Sequence, residues 1–185
     1  EVVGVDIEPQ PNYPFEFHRV DAVEVLAQFV WGWKWAALAP SRFDAIHASP
    51  PCQAYSSLNA YNRKEYPDLV GRVRVALQWL GVPYVIENVP RAPLQAPVEL
   101  CGAMFGLRLY RHRGFEANFP IMVPPHPQHE ARCVRNGYLP TQGEFMSIHG
   151  GRHSKAWQRG AAEAMGVPWM KTIREVCEAI PPVYT

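Results

Sequence analysis

The chain has 185 residues, a length that suits one α/β domain with its own core and is short for two. Apolar residues make up 48% and charged residues 19%, which excludes an intrinsically disordered chain. The apolar runs are broken by charge or proline below membrane-spanning length and no signal-peptide pattern opens the chain, so we expect no membrane association. Four cysteines lie far apart without a C-x-x-C pair, which predicts free thiols in a reduced, cytoplasmic protein.

The formal net charge of +1 is unevenly distributed along the chain. Residues 1–51 carry three basic and seven acidic side chains, whereas residues 108–159 carry eight basic and three acidic ones. A basic third of this kind is typical of a domain that meets phosphate groups, and the alternative is an ordinary solvated surface. Charge alone therefore leaves a nucleic-acid partner open.

Strands and helices are predicted to alternate in the first half of the chain. Apolar runs and turn residues predict strands at 2–7, 43–48 and 84–89 and helices at 21–31 and 66–80, the second ending at Gly81. This alternation predicts a doubly wound, mostly parallel sheet. Because ligands of such sheets bind beyond the carboxyl ends of the strands, we expect Asp6, Cys52 and Glu87–Asn88 to converge on one cleft.

The pattern changes after Gly106. A pair of strands rich in arginine and aromatic residues is expected at 107–119, and helices are expected at 154–165 and 172–180. Between them, residues 120–151 hold five prolines and four glycines, which predicts an irregular insert. We therefore divide the chain into a core at 1–119, an insert at 120–152 and C-terminal helices at 153–185 that return to the core.

Three short motifs carry candidate chemistry. Pro50–Gln53 follows a buried strand directly, and its prolines restrict the backbone that holds the Cys52 thiol, which is either a nucleophile or a buried structural residue. Glu87 ends a neighbouring strand, as a reactive acid or as a simple cap. Arg111 and Arg113 stand two positions apart, so a strand would point both the same way, and the alternative is a pair of surface arginines.

In this order and spacing the motifs resemble those of the DNA cytosine-5 methyltransferase family. Pro50–Gln53 is similar to its Pro-Cys-Gln nucleophile motif, and Glu87–Val89 is similar to its Glu-Asn-Val motif. Arg111 and Arg113 resemble the arginines of its Gln-x-Arg-x-Arg motif, with Leu109 where glutamine is expected. The resemblance covers nearly the whole chain except about residues 120–150. It is closest to compact phage-type members and implies a role in protecting DNA from restriction.

The resemblance implies a Rossmann-like enzyme that transfers a methyl group from S-adenosylmethionine to C5 of cytosine in double-stranded DNA. Cys52 would add to C6 of a base flipped out of the duplex, and Glu87 would hydrogen-bond N3 and the exocyclic amine. Arg111 and Arg113 would hold the base or the backbone, and Asn88 would orient the loop of Cys52. We expect the protein to act as a monomer.

The resemblance also implies where cofactor and DNA would bind. Val3–Ile7 resembles the strand whose acid holds the ribose hydroxyls, and Ala179–Tyr184 resembles the start of a C-terminal cofactor motif. The predicted cofactor contacts are Asp6, Ile7, Asp21 (near the adenine amino group) and Pro50. The predicted DNA contacts are Asn88, Gln53 and three arginines of the insert, Arg132, Arg135 and Arg152.

Histidines and a cysteine in and directly after the insert are candidate zinc ligands. His126, His129 and Cys133, with His149 and His153 further on, have spacings that could hold the ion. Proline-broken loops with scattered histidines are more often only loops or phosphate contacts, so the sequence assigns no metal site and leaves zinc binding by the insert open.

The chain departs from the family pattern in two places. The glycine-rich cofactor loop, which would lie roughly 20 residues before Asp6, is absent, so we expect it upstream. The insert is also shorter than a usual target-recognition domain. Three alternatives stay open: methylation of cytosine in tRNA, transfer of a modified one-carbon group, and a DNA-binding homologue without catalysis. The missing loop favours the last alternative, and the retained Cys52, Glu87 and paired arginines favour an enzyme.

Overall fold

A computed structural model of the protein describes residues 2–31, 38–56, 59, 65–134 and 137–185. Within these residues the α-helices are α1 (Ala22–Val30), α2 (Val70–Leu80), α3 (Lys155–Met165) and α4 (Ile173–Glu178). The strands are β1 (Val3–Asp6), β2 (Glu16–Arg19), β3 (Ile46–Ala48), β4 (Tyr84–Asn88), β5 (Val98–Leu100), β6 (Arg113–Ala117), β7 (Cys133–Val134) and β8 (Phe145–Met146). Short 3₁₀ turns form at Pro40–Arg42, Gly102–Phe105 and Pro182–Tyr184.

The chain divides into two units by its backbone contacts. Unit 1 comprises Glu1–Val98 and Gly114–Ile121, and unit 2 comprises Glu99–Arg113 and Met122–Thr185. Unit 1 contains the motif around Cys52 and the motif around Glu87. Unit 2 contains most of the insert, the C-terminal helices and the segment that carries Arg111.

The main sheet of unit 1 combines parallel and antiparallel pairing. β3 pairs with β4 in parallel, with Ala48 opposite Ile86, and β4 pairs with β6 in antiparallel register. The strand order is β3–β4–β6–β5, and β1 and β2 form a separate parallel pair. The prediction of a mixed α/β fold is confirmed. The doubly wound parallel sheet is not clearly formed, because the strands divide between small sheets and β6 runs antiparallel.

Helices α1 and α2 pack against each other in unit 1. Leu26 of α1, Val73 and Leu77 of α2, and Tyr84 and Ile86 of β4 form a buried apolar cluster. This burial is the main stabilising contribution to the unit, at about 25 cal/mol for each Å² of apolar surface removed from water. It also makes β4 a rigid central strand whose carboxyl end holds the Glu87–Asn88 pair.

The predicted helix boundaries are confirmed where a local cap sets them. The Asp21 carboxylate caps the start of α1, and Gly81 ends α2 at a φ of 66°. The start of α2 was predicted too early, since the helix begins at Val70. The Asp68 carboxylate accepts a hydrogen bond from the Tyr55 hydroxyl, and Asp68 does not enter the helix.

Unit 2 has its own apolar core. Leu109, Met146, Trp157, Met165 and Val176 are all buried in one cluster that joins α3 and α4. As predicted, the insert is irregular apart from the two-residue strands β7 and β8 in its described residues, 120–134 and 137–152. The predicted strand pair at 107–119 is wrong: only β6 forms there, and Leu109 makes an isolated bridge to Met146.

The helices of unit 2 begin and end close to the residues predicted from the sequence. Ser154 caps α3, and Gly166 ends it at a φ of 74°. Thr172 and Glu175 form a reciprocal capping box at the start of α4. None of the helices in the described ranges is both long and apolar enough to cross a membrane.

A buried ion pair links α2 to β6 within unit 1. Arg74 donates to the Glu116 carboxylate from Nε at 2.6 Å and from Nη2 at 2.7 Å. The same guanidinium donates to the Pro93 carbonyl at 2.6 Å, and the Gln95 amide donates to Glu116 at 2.7 Å. The bidentate geometry and these extra partners compensate the desolvation of both charges.

We expect Arg74→Met to lower the free energy of unfolding by about 3–5 kcal/mol, because it leaves the Glu116 carboxylate buried without its cation. The matched control is Arg174→Met, which removes an exposed i,i+4 pair with Glu178 and should cost about 0.5 kcal/mol or less. Urea denaturation monitored by circular dichroism measures both. Equal losses of unfolding free energy in the two variants would contradict the larger contribution that we assign to the buried ion pair.

Candidate functional site

The candidate site is built at the carboxyl ends of β3 and β4. These strands are parallel neighbours with Ala48 opposite Ile86, so the chain leaves both at the same edge of the sheet. Cys52 follows Ala48 by four residues, and Glu87 follows Ile86 directly. The local fold therefore directs the nucleophile motif and the acidic motif to one edge, as the sequence predicts.

A buried side-chain amide ties the two motifs together. Asn88 is 1% exposed, and its Nδ2 donates to the Pro50 carbonyl at 2.8 Å. Its Oδ1 accepts from the Val89 amide at 2.9 Å, so the amide is held at both ends. Pro50 is buried as well. This geometry fixes the backbone two residues before Cys52, in agreement with the orienting role predicted for Asn88.

Gly114 of β6 is paired with Asn88 of β4 and lies beside the Leu94 side chain. A Cβ placed on Gly114 would lie 2.8 Å from Leu94 Cδ1. A larger residue at 114 would therefore require the Leu94 side chain to move.

Glu87 and Cys52 differ in exposure. Glu87 is 6% exposed and lies opposite the buried Phe115. Cys52 forms no disulfide and is half-buried, and Gln53 beside it is exposed. A turn follows directly, in which the Tyr55 amide donates to the Cys52 carbonyl at 3.0 Å. A thiol and a desolvated carboxyl are the group types that nucleophilic attack assisted by an acid requires.

Three of the four residues predicted to bind the cofactor, Asp6, Ile7 and Asp21, lie at the end of β1 and the start of α1, and the fourth, Pro50, follows β3. Asp6 ends β1, and its carboxylate accepts from the Glu8 amide at 2.8 Å and from Gln10 Nε2 at 3.2 Å. Ile7 is 61% exposed. Asp21 Oδ1 accepts from the Val23 amide at 2.7 Å, so this carboxylate has a structural role as a helix cap.

Strand pairing does not by itself bring Asp6 to the edge that carries Cys52, and their convergence on one cleft stays a prediction. β1 pairs with β2, and no pairing joins them to β3 in the part of the chain that the structure describes. The role of Asp6 in cofactor binding stays a prediction.

The two arginines of the third motif lie in different environments. Arg111 precedes β6 and is 4% exposed, and its guanidinium donates to the carbonyls of Ile148, Cys177 and Ala179 at 3.1, 2.6 and 2.6 Å. Arg113 is the first residue of β6, is half-buried, and donates to the His112 carbonyl. The expectation that one strand points both the same way is therefore wrong. Their contacts with a base stay predictions, and Arg111 also anchors the C-terminal segment of unit 2.

The arginines of the insert are exposed where they are described. Arg132 is 83% exposed in its side chain and pairs with Glu144 at 3.3 Å, and Arg152 is exposed. Arg135 lies outside the described residues. Exposed guanidinium groups of this kind can neutralise nucleic-acid phosphates without recognising the base sequence.

One side-chain cluster was missed by the sequence analysis. Cys101, His112, His126 and His129, all in unit 2, place one potential ligand atom each within 4.8 Å of the other three. The sequence pointed to His126 and His129 but paired them with Cys133, which lies in β7 and outside this cluster. Burial raises the pKa of the Cys101 thiol and lowers the pKa of His112 and of His129.

Neither a protein-family model nor a curated protein matches the sequence at a significant level. The interpretation of the site therefore depends on its own residues and geometry.

We expect Asn88→Ala to increase the modification rate of Cys52 by a small thiol reagent, because the loop loses the bond at the Pro50 carbonyl. Stability should fall by about 1–3 kcal/mol, the usual cost of a buried unsatisfied group. Peptide mapping by mass spectrometry distinguishes Cys52 from the other three thiols.

The matched control is Asn118→Ala. Asn118 also holds two backbone groups of unit 1, since it accepts from the Tyr84 amide and donates to the Val82 carbonyl at the opposite end of β4. Asn118→Ala should lower the free energy of unfolding and leave the modification rate of Cys52 unchanged. Equal acceleration in both variants would mean that general loosening, and not the Asn88 bond, governs the thiol.

Proposed function

We propose that the protein transfers a methyl group from S-adenosylmethionine to C5 of cytosine in double-stranded DNA. The observation that carries this proposal is the buried hydrogen bond from Asn88 to the Pro50 carbonyl. It joins a Pro-Pro-Cys-Gln segment to a Glu-Asn-Val segment at neighbouring parallel strand ends. Cytosine methylation at C5 needs a thiol and a carboxyl held together in this way.

The chemistry assigns a distinct task to each side chain. Cytosine C5 is a weak nucleophile, so the Cys52 thiolate adds to C6 and the electron pair moves to C5 as an enamine. The Glu87 carboxyl, protonated and hydrogen-bonded at N3, offsets the negative charge that develops in the ring. Its burial in β4 makes this interaction stronger than it would be in water.

The residues at the end of β1 fit the proposed cofactor. A carboxylate has about four acceptor positions, and the two hydrogen bonds recorded for Asp6 leave capacity for ribose hydroxyls. The exposed Ile7 offers an apolar surface for an adenine ring. When bound, S-adenosylmethionine would supply the electrophilic methyl group at C5 and leave as S-adenosylhomocysteine. Water would then take the C5 proton, and the electron pair of that C–H bond would restore the C5–C6 double bond and release the Cys52 thiolate.

The substrate must present its base outside the duplex. C6 and C5 are reached from the face of the ring, which is covered by stacking in a duplex, so the cytosine is flipped out. Exposed Arg132 and Arg152 of unit 2 would contact phosphates of the nucleic acid, which predicts binding that weakens steeply with salt. Methylation of cytosine in RNA would use the same thiol and carboxyl and is therefore an outcome of the test.

The test is a covalent trap. The protein, expressed from its native start codon, is incubated with S-adenosylmethionine and duplex DNA that contains 5-fluorocytosine. Fluorine at C5 blocks the final elimination, so the complex persists on a denaturing gel. We expect Cys52→Ala to abolish the adduct and Cys133→Ala, the matched control, to retain it. Glu87→Gln should slow adduct formation by about 10²-fold or more.

Each result has a definite consequence. An adduct with the equivalent RNA alone would assign the reaction to RNA. A folded protein that binds duplex DNA but forms no adduct with either nucleic acid would contradict the proposal in favour of a non-catalytic DNA-binding protein. An adduct retained by Cys52→Ala would contradict the assigned nucleophile.

A further inference from the structure

We propose that unit 2 carries a structural zinc site formed by Cys101, His112, His126 and His129. The proposed methyl transfer requires no metal, so this site is independent of it. The ligands come from three segments: the start of the 3₁₀ turn at Gly102–Phe105, the residue before β6, and the irregular insert.

The distances in the cluster agree with tetrahedral zinc. Zn–S near 2.3 Å and Zn–N near 2.05 Å place two nitrogens roughly 3.3 Å apart and a sulfur and a nitrogen about 3.6 Å apart. His112 Nε2 lies 3.2 Å from His126 Nε2, and Cys101 Sγ lies 3.4 Å from His129 Nε2. All four atoms are within 4.8 Å of one another. Small side-chain movements would complete the tetrahedron.

The donor set identifies the ion and its role. One thiolate and three imidazoles are ligands preferred by Zn²⁺, and hard cations such as Mg²⁺ and Ca²⁺ prefer oxygen. The protein fills all four positions of a tetrahedral ion and leaves none for water or substrate. Closed sites of this kind are structural. The exposure of His126 and His129 gives the ion a route from solvent.

Two separate hydrogen bonds are the alternative explanation. Cys101 with His129 and His112 with His126 could each share one proton. Two independent hydrogen bonds would not require the two pairs to lie close together. The ring centroid of His129 nevertheless lies 4.9 Å from that of His112 and 4.9 Å from that of His126. Three imidazoles gathered beside one sulfur repel when protonated, whereas a cation attracts all of their lone pairs.

Cys101 is held in a closely packed part of unit 2. The residue is buried. Gly102, which follows it, lies so close to the chain at Leu109 that an added Cβ would be 2.6 Å from the Leu109 carbonyl oxygen. This packing places the Cys101 side chain within the cluster and not on the surface.

The insert has few other means of holding its position. Residues 118–132, all of which the structure describes, contain no helix or strand. The main fixed point is Tyr110, whose ring stacks on His129 with centroids 3.8 Å apart and whose hydroxyl bonds to the Ala131 carbonyl and amide at 3.1 Å. A zinc ion bound by His126 and His129 would attach the same loop to Cys101 and His112.

The test measures metal in the untagged full chain. After exhaustive dialysis, we expect inductively coupled plasma mass spectrometry to find about one zinc ion per chain. Replacement by Co²⁺ should give the visible bands of a tetrahedral ion and a near-ultraviolet thiolate-to-cobalt band. Cys101→Ser should abolish the thiolate band, and His126→Ala, at an exposed position that folding does not need, should weaken zinc binding at least tenfold.

Cys133→Ser is the matched control, because it removes another thiol of unit 2 and should leave stoichiometry and both spectral features unchanged. The proposal is overturned if the folded chain binds no zinc, or if Cys133→Ser removes the thiolate band and Cys101→Ser retains it. It is also overturned if His126→Ala binds zinc as tightly as the parent. None of these results depends on methyl transfer.

Discussion

The bond between the Asn88 side chain and the Pro50 carbonyl is the constraint on which the arrangement of unit 1 depends. The loop after β3 contains the consecutive prolines Pro50 and Pro51, which have no backbone N–H group to donate. Its path is therefore set by the groups that bond to its carbonyls. Here the Pro50 carbonyl is bonded by the buried Asn88 amide of β4, whose own oxygen accepts from the Val89 amide. The rigid strand thus determines where the Cys52 thiol stands.

The sequence predicts features of the fold that local interactions determine. Asp21, Gly81, Ser154 and Gly166 mark helix ends because caps act within one turn. The direction of β6 could not be predicted, since alternation along a strand is the same in parallel and antiparallel sheets. The late start of α2 at Val70 has no side-chain cap, and the residue two positions before it, Asp68, accepts from Tyr55, a contact outside the reach of local patterns.

The same distinction applies to the sites. Cys52 and the Glu87–Asn88 pair follow predicted strands directly, so strand pairing alone brings them to one edge. The histidine and cysteine cluster has ligands separated by ten and thirteen residues before the close pair His126 and His129. No spacing rule connects them, because the turn at Gly102 and the stacking on Tyr110 decide which side chains meet. Cys133 was the nearer cysteine in sequence but lies in β7.

Three consecutive residues, Arg111 to Arg113, take part in three different structures. Arg111 donates to the carbonyls of the C-terminal segment, His112 belongs to the histidine and cysteine cluster, and Arg113 begins β6. A loss of the proposed activity on replacing any one of them is therefore ambiguous by itself. Arg111→Lys keeps a positive charge but lacks the planar fork that bridges several carbonyls, so inactivity in that variant would report misfolding of unit 2 as readily as a lost contact with the base.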